Sequence, residues 1–147
     1  MNVRKKAFAI IVTVLVLTGT GSIAIGAAFP RQVFVEVTSE DLVAQKDIAG
    51  LAEVPAGGIL TMILGSNPTT GFSWNKVAQI GDQAVLQETE NKYSEQEMSG
   101  VVGAGRREVW TFKALEPGTT TIRMEYSQPW AGGEKGAWTF QLTVVVR

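Results

Sequence analysis

The sequence predicts an all-β domain, a sandwich or a barrel, and three observations predict it. Apolar and polar residues alternate at period 2 in several separate runs. These runs are rich in β-branched and aromatic residues. Gly- and Pro-rich turns punctuate them at short intervals, as all-β folds require.

The chain begins differently. Arg4, Lys5 and Lys6 form a basic head, and no charge follows from Ala7 to Ala28. A basic head, an apolar stretch and the small residues Gly26, Ala27 and Ala28 describe an export signal over residues 1–28. The same stretch is long enough to cross a bilayer as one helix, which needs about 20 residues. Cleaved, it releases residues 29–147. Retained, it sits in the membrane and anchors them at the outer face of the cell membrane. No Cys follows the apolar run, so a lipid-modified cysteine anchor is excluded.

The remaining elements follow in order. Val33–Val37 is a β-branched and aromatic run. Ser39–Val54 supports two readings. Ser39 before Glu40 and Asp41 caps a helical turn, or an irregular loop leads into a short strand over 48–54. Ile59–Leu64 is nearly continuous in apolar residues, the pattern of a strand buried on both faces. Phe72–Val77 begins by alternating. Residues 87–99 are mostly polar and form an exposed strand and loop. Val109–Lys113 puts Trp110 and Phe112 on one face. Thr120, Ile122, Met124 and Tyr126 share a face, as do Trp138, Phe140, Leu142, Val144 and Val146.

Composition narrows the chemistry. The 147 residues contain no Cys and no His. This excludes disulfides, thiol nucleophiles, a Ser-His-Asp triad and Cys/His zinc sites. The net charge is −1, and three of the 13 basic residues lie in the leader. The chain's charge of −1 argues against nucleic acid as a partner, and the outer domain, at about −4, is mildly acidic, which suits solubility. A domain of this size can stabilise a core without disulfides, and a monomer is the expected state.

Three loops stand apart from the strands. In Asn67-Pro68-Thr69-Thr70-Gly71-Phe72, Asn before Pro starts a turn through its side chain. Pro68 fixes its own φ and restricts Asn67. Gly71 permits a positive φ. The tip then presents two small hydroxyls on a stiff backbone. An ordinary tight connection would use the same residues. In Gly103-Ala104-Gly105-Arg106 the glycines allow close backbone approach. A phosphate cradle would need a following helix, but a strand pattern follows. In Gln128-Pro129-Trp130, Pro129 ends ladder pairing and leaves Trp130 in an irregular segment. That Trp is either an exposed anchor for a partner or folded back to cap the core. In a sandwich such connections emerge at one end. The end so formed has no acid/base pair and reads as a recognition surface.

At these loops the sequence resembles the chagasin family, protein inhibitors of papain-like cysteine peptidases. Asn67–Trp74 is similar to its Asn-Pro-Thr-Thr-Gly-aromatic-x-Trp loop, Gly103–Gly105 to the start of its Gly-x-Gly-Gly loop, and Pro129-Trp130 to the end of its Arg-Pro-Trp motif. Glu90–Tyr93 resembles a further strand segment. Arg106 stands where the family usually has Gly, and Gln128 where it usually has Arg, which removes a bidentate donor.

The resemblance implies an immunoglobulin-like β-sandwich of about seven or eight strands that binds a papain-like cysteine peptidase. Its peptidase-binding residues would be Asn67, Pro68, Thr69, Thr70, Gly71 and Phe72, then Gly103, Ala104, Gly105 and Arg106, then Gln128, Pro129 and Trp130. The first loop would cover the peptidase's catalytic Cys/His pair, and Trp130 would pack on the rim. No cofactor or metal is implied. A cell-surface adhesion or carbohydrate-binding module is the alternative, resting on fold analogy. A two-carboxylate glycosidase is disfavoured, because residues 67–71, 103–105 and 128–133 contain no Asp or Glu.

Overall fold

The computed structural model describes residues 31–94 and 106–147. The leader assigned to residues 1–28, residues 95–99 of the polar run, and Gly103, Ala104 and Gly105 lie outside the described residues. The described residues form nine strands, one short helix and one 3-10 turn.

Strand β1 (Gln32–Val37) runs into helix α1 (Ser39–Ala44) and then β2 (Asp47–Val54). Both readings of Ser39–Val54 therefore contribute: a capped turn comes first and a strand follows. The cap is Thr38, one residue before Ser39. Thr38 Oγ1 accepts from the Asp41 N–H at 3.2 Å, and the Asp41 carboxylate accepts from the Thr38 N–H at 2.8 Å. This reciprocal capping box satisfies two donors that a short helix would otherwise leave unpaired.

Strand β3 (Ile59–Ser66) pairs in parallel with β1 and antiparallel with β7 (Arg106–Ala114). With β6 (Leu86–Ser94) on the far side of β7, these make a four-stranded sheet in the order β1-β3-β7-β6. The second sheet has the order β2-β9-β8-β4, built from β8 (Gly118–Ser127), β9 (Trp138–Val146) and the two-residue β4 (Ser73–Trp74). A further short strand, β5 (Gln79–Ile80), also pairs with β8. Parallel pairs need a crossover. Here α1 and β2 supply it, carrying the chain into the second sheet and back.

Period 2 places the core between the sheets. Leu60, Met62 and Leu64 face inward from β3, Trp110 and Phe112 from β7, Ile122 and Met124 from β8, and Phe140, Leu142 and Val144 from β9. All are essentially inaccessible to water. Burying each contributes roughly 1.5–3 kcal/mol. The second face of β3 is only partly covered: Thr61 is buried and Ile63 half-buried, whereas Ile59 is exposed.

The alternation over 72–77 yields only a two-residue strand. Asn75 ends it by turning its side chain onto neighbouring backbone. Its Oδ1 accepts from the Glu125 N–H at 2.7 Å, and its Nδ2 donates to the Val77 carbonyl. A side chain that bonds the backbone competes with the ladder.

Gly65 joins three elements. Its carbonyl accepts the Trp74 indole N–H at 2.9 Å, and a Cβ built on it would meet Ser39 N at 2.8 Å. That contact is backbone and cannot swing aside. Gly65→Ala is therefore expected to cost about 1–3 kcal/mol of stability, read as a lowered urea midpoint.

Candidate functional site

Register brings the first and third loops to one end. Ser66, the last residue of β3, pairs with Arg106, the first of β7. Ser73, the first of β4, pairs with Ser127, the last of β8. Residues 67–72 and 128–137 thus leave the sandwich together. The flanks of the middle loop, Ser94 and Arg106, stand at the same end.

The first loop is one 3-10 turn, Pro68–Thr70. Asn67 organises it from both its main chain and its side chain. Its Oδ1 accepts from the Thr69 N–H at 3.3 Å and the Thr69 hydroxyl at 2.6 Å. Its carbonyl accepts from the Thr70 N–H at 3.2 Å and the Thr70 hydroxyl at 2.7 Å. The two threonines are exposed, but their hydroxyl protons point back into the loop.

Tyr126 fastens this turn to the core. The Asn67 N–H donates to the Tyr126 hydroxyl at 2.8 Å, and that hydroxyl donates to the Asn67 carbonyl at 3.3 Å. Burial pushes the Tyr126 phenol above its usual range, partly offset by the bond from the Asn67 N–H. Its ring stacks on Phe72 with centroids 5.6 Å apart and meets Trp74 at 4.9 Å and Trp138 at 5.8 Å. Phe72, assigned to the partner surface from sequence, is half-buried and braces the turn from beneath.

The third loop closes on itself. The Gln128 N–H donates to the Glu134 carbonyl at 2.8 Å, and Gln128 Oε1 accepts from the Glu134 N–H at 2.9 Å. The Gly133 N–H donates to the Trp130 carbonyl at 3.1 Å. Lys135 donates to the Gln128 carbonyl, and to the Trp130 carbonyl at 2.9 Å.

The first and third loops then meet. Gly71 has φ +79°, and a Cβ there would fall 2.6 Å from the Trp130 ring. A Cβ on Gly133 would fall 3.0 Å from Trp130 Nε1. The indole therefore lies across two glycines, with Trp130 still 49% exposed. The ring is exposed, as one sequence reading of this Trp expects, and it rests on the first loop rather than capping the core. Gln128, Pro129, Trp130, Asn67, Thr69, Thr70 and Gly71 thus share one surface, with the exposed Arg106 opening β7 at the same end.

Beneath the loops lies a buried acid. Glu108 is 2% exposed and faces the core, in register with Trp110 and Phe112. Burial raises its pKa to about 6, against hydrogen bonds from Tyr93 and Ser66 that favour the charged form. The alternation of Trp110 and Phe112, carried one step back, would have found it. Among the described residues, no cluster of acidic side chains is placed to hold a metal.

Comparison with known proteins matches residues 53–144 to the family model described as Chagasin family peptidase inhibitor I42. The chain belongs to the chagasin family. Amoebiasin-2 of Entamoeba histolytica is 28% identical over 106 residues, covering 72% of this chain and 85% of that protein. Chagasin of Trypanosoma cruzi is 32% identical over 82 residues, covering 54% of this chain and 73% of that one. The crystal structure of a cysteine protease inhibitor from Entamoeba histolytica superposes with a TM-score of 0.61 at 25% identity, covering 81% of this chain and all of that one. The chagasin-type sandwich predicted from the loop motifs is thus the fold observed.

The Tyr126 and Glu108 contacts generate two predictions for this chagasin-family chain. Tyr126→Phe keeps the ring and removes the tether. It should cost about 1–2 kcal/mol and speed amide hydrogen exchange at Asn67. Glu108 titrates at about 6 when folded and near 4.5 as a free carboxylic acid. Its protonated form is therefore favoured by the fold. Stability should rise by roughly 2 kcal/mol as pH falls from above 6 to below 4.5, and Glu108→Gln should abolish that rise in urea titrations.

Proposed function

We propose that this chain is a reversible, tight-binding inhibitor of papain-like cysteine peptidases, inserting its three loops into the active-site cleft without being cleaved. The observation that carries this reading is the half-exposed Trp130 indole, seated on Gly71 beside a 3-10 turn that Tyr126 fixes to the core. Membership of a family of peptidase inhibitors supports it.

The chemistry follows from the geometry. A peptidase thiolate needs a peptide carbonyl in attack position, polarised by oxyanion donors. The Asn67 carbonyl already accepts from Thr70 and Tyr126. Turning it toward a thiolate would break those bonds. The loop occupies the cleft as a rigid wedge, and its preorganisation lowers the entropy lost on docking. Trp130 supplies the buried aromatic anchor common at tight interfaces. Arg106 adds a cation to the rim, while Gln128 serves its own loop through Glu134. The protein acts by occupancy and performs no catalysis of its own.

We assign residues 1–28 as the export signal or retained anchor and residues 29–147 as the inhibitor domain, which places the loops outside the cell. There the domain acts as a monomer.

Titration of the protein against papain with a fluorogenic substrate tests this directly. Stoichiometric, reversible loss of activity with the inhibitor left intact is expected. Trp130→Ala should weaken inhibition about 30-fold, the equivalent of roughly 2 kcal/mol at an anchor residue, with circular dichroism unchanged. A folded Trp130→Ala protein that inhibits equally well would remove Trp130 from the mechanism. No inhibition at micromolar protein would count against the function itself.

A further inference from the structure

Lys135 is an exposed lysine on a surface loop, a residue ordinarily counted as solvated charge. Its ammonium instead faces inward, toward the carbonyls of Gln128 and Trp130. We propose that Lys135 is a positioning residue of the inhibitory surface: it holds the Gln128–Gly133 turn closed, and so keeps the Trp130 indole on its Gly71 seat before any peptidase arrives. The effect on inhibition rests on the proposed function, whereas the effect on the free protein does not.

The turn has few donors of its own. Pro129 has no N–H, so the turn is short of one backbone donor. The Gly133 N–H reaches the Trp130 carbonyl, but Glu134 bonds the N–H and the side chain of Gln128 and leaves its carbonyl unserved. An ammonium has three donors on a flexible stem and can reach two carbonyls at once. Bonds from a charged donor are also stronger than neutral ones. Lys135 thus links the residue before Pro129 to the residue after it.

Closure of the turn then fixes the ring. The indole lies between positions 71 and 133, both glycine, and neither seat exists unless the turn brings Trp130 back over them. With nearly half of the residue in water, packing alone holds it weakly. An anchor free to leave its seat must be ordered during docking, at a cost in affinity. Lys135 removes part of that cost without touching the partner.

The test compares Lys135→Met, which keeps the stem and removes the ammonium, with Lys135→Arg, which restores a cationic donor. The Trp130 indole N–H resonance, assigned by its loss in Trp130→Phe, reads the seat in the free protein. Papain inhibition reads the consequence. In Lys135→Met the resonance should shift or broaden, inhibition should weaken about tenfold, and the melting temperature should hold within a few degrees. Lys135→Arg should recover most of both signals. An indole resonance unmoved in Lys135→Met overturns the proposal, whatever happens to inhibition. A loss of inhibition with that resonance unmoved would mean that Lys135 contacts the peptidase itself. A moved resonance with undiminished inhibition would overturn the role in binding. If the wild-type protein does not inhibit papain, the function fails, and the free-protein resonance still decides whether Lys135 seats the ring.

Discussion

Tyr126 stands where the core of the sandwich ends and the loops begin. Its ring belongs to the packed interior, among Phe72, Trp74 and Trp138. Its hydroxyl holds both the N–H and the carbonyl of Asn67. A buried phenol needs a hydrogen-bond partner, and Asn67 needs a fixed point from which to organise a turn. Each requirement answers the other. The register of β8 and the conformation of the first loop are thereby coupled through one side chain.

From that junction the rest of the loop end is assembled by close approach. Fixing Asn67 fixes Pro68–Thr70, which fixes the left-handed Gly71, which offers a surface without a side chain to Trp130. The third loop delivers that Trp through bonds to Glu134, Gly133 and Lys135. Beyond the Ser73–Ser127 pair that starts them, the two loops are joined by an aromatic ring resting on glycine. A surface ordered in this way would lose less entropy on docking than a loose one.

Glu108 shows the opposite balance. A carboxyl facing the core costs free energy unless it is paired or protonated. Hydroxyls of Tyr93 and Ser66 partner it, yet burial still raises its pKa to about 6. The acid lies on β7 two residues from Arg106, close under the loop end. The loop end therefore rests on one group that makes the domain firmer in acid than at neutral pH.

The strands were legible because period 2 is a local signal. Thr120 to Tyr126 and Trp138 to Val146 alternate in the sequence and face the core in the structure. The first loop was legible for the same reason: the Asn67 side chain reaches Thr69, two residues on, and Pro68 acts on its own φ. The lack of Cys and His was decisive at once for chemistry. Other features needed the tertiary structure. Asn75 cut short the strand expected over 72–77 by bonding Glu125, far along the chain. The parallel pairing of β2 with β9, the Tyr126–Asn67 tether and the seating of Trp130 on Gly71 all join residues remote in sequence. The inward ammonium of Lys135 depends on how one loop folds back over itself. Sequence alone determined what each segment can form, because conformational preference acts between near neighbours. Tertiary structure decided which segments meet, because that depends on the packing of the whole core.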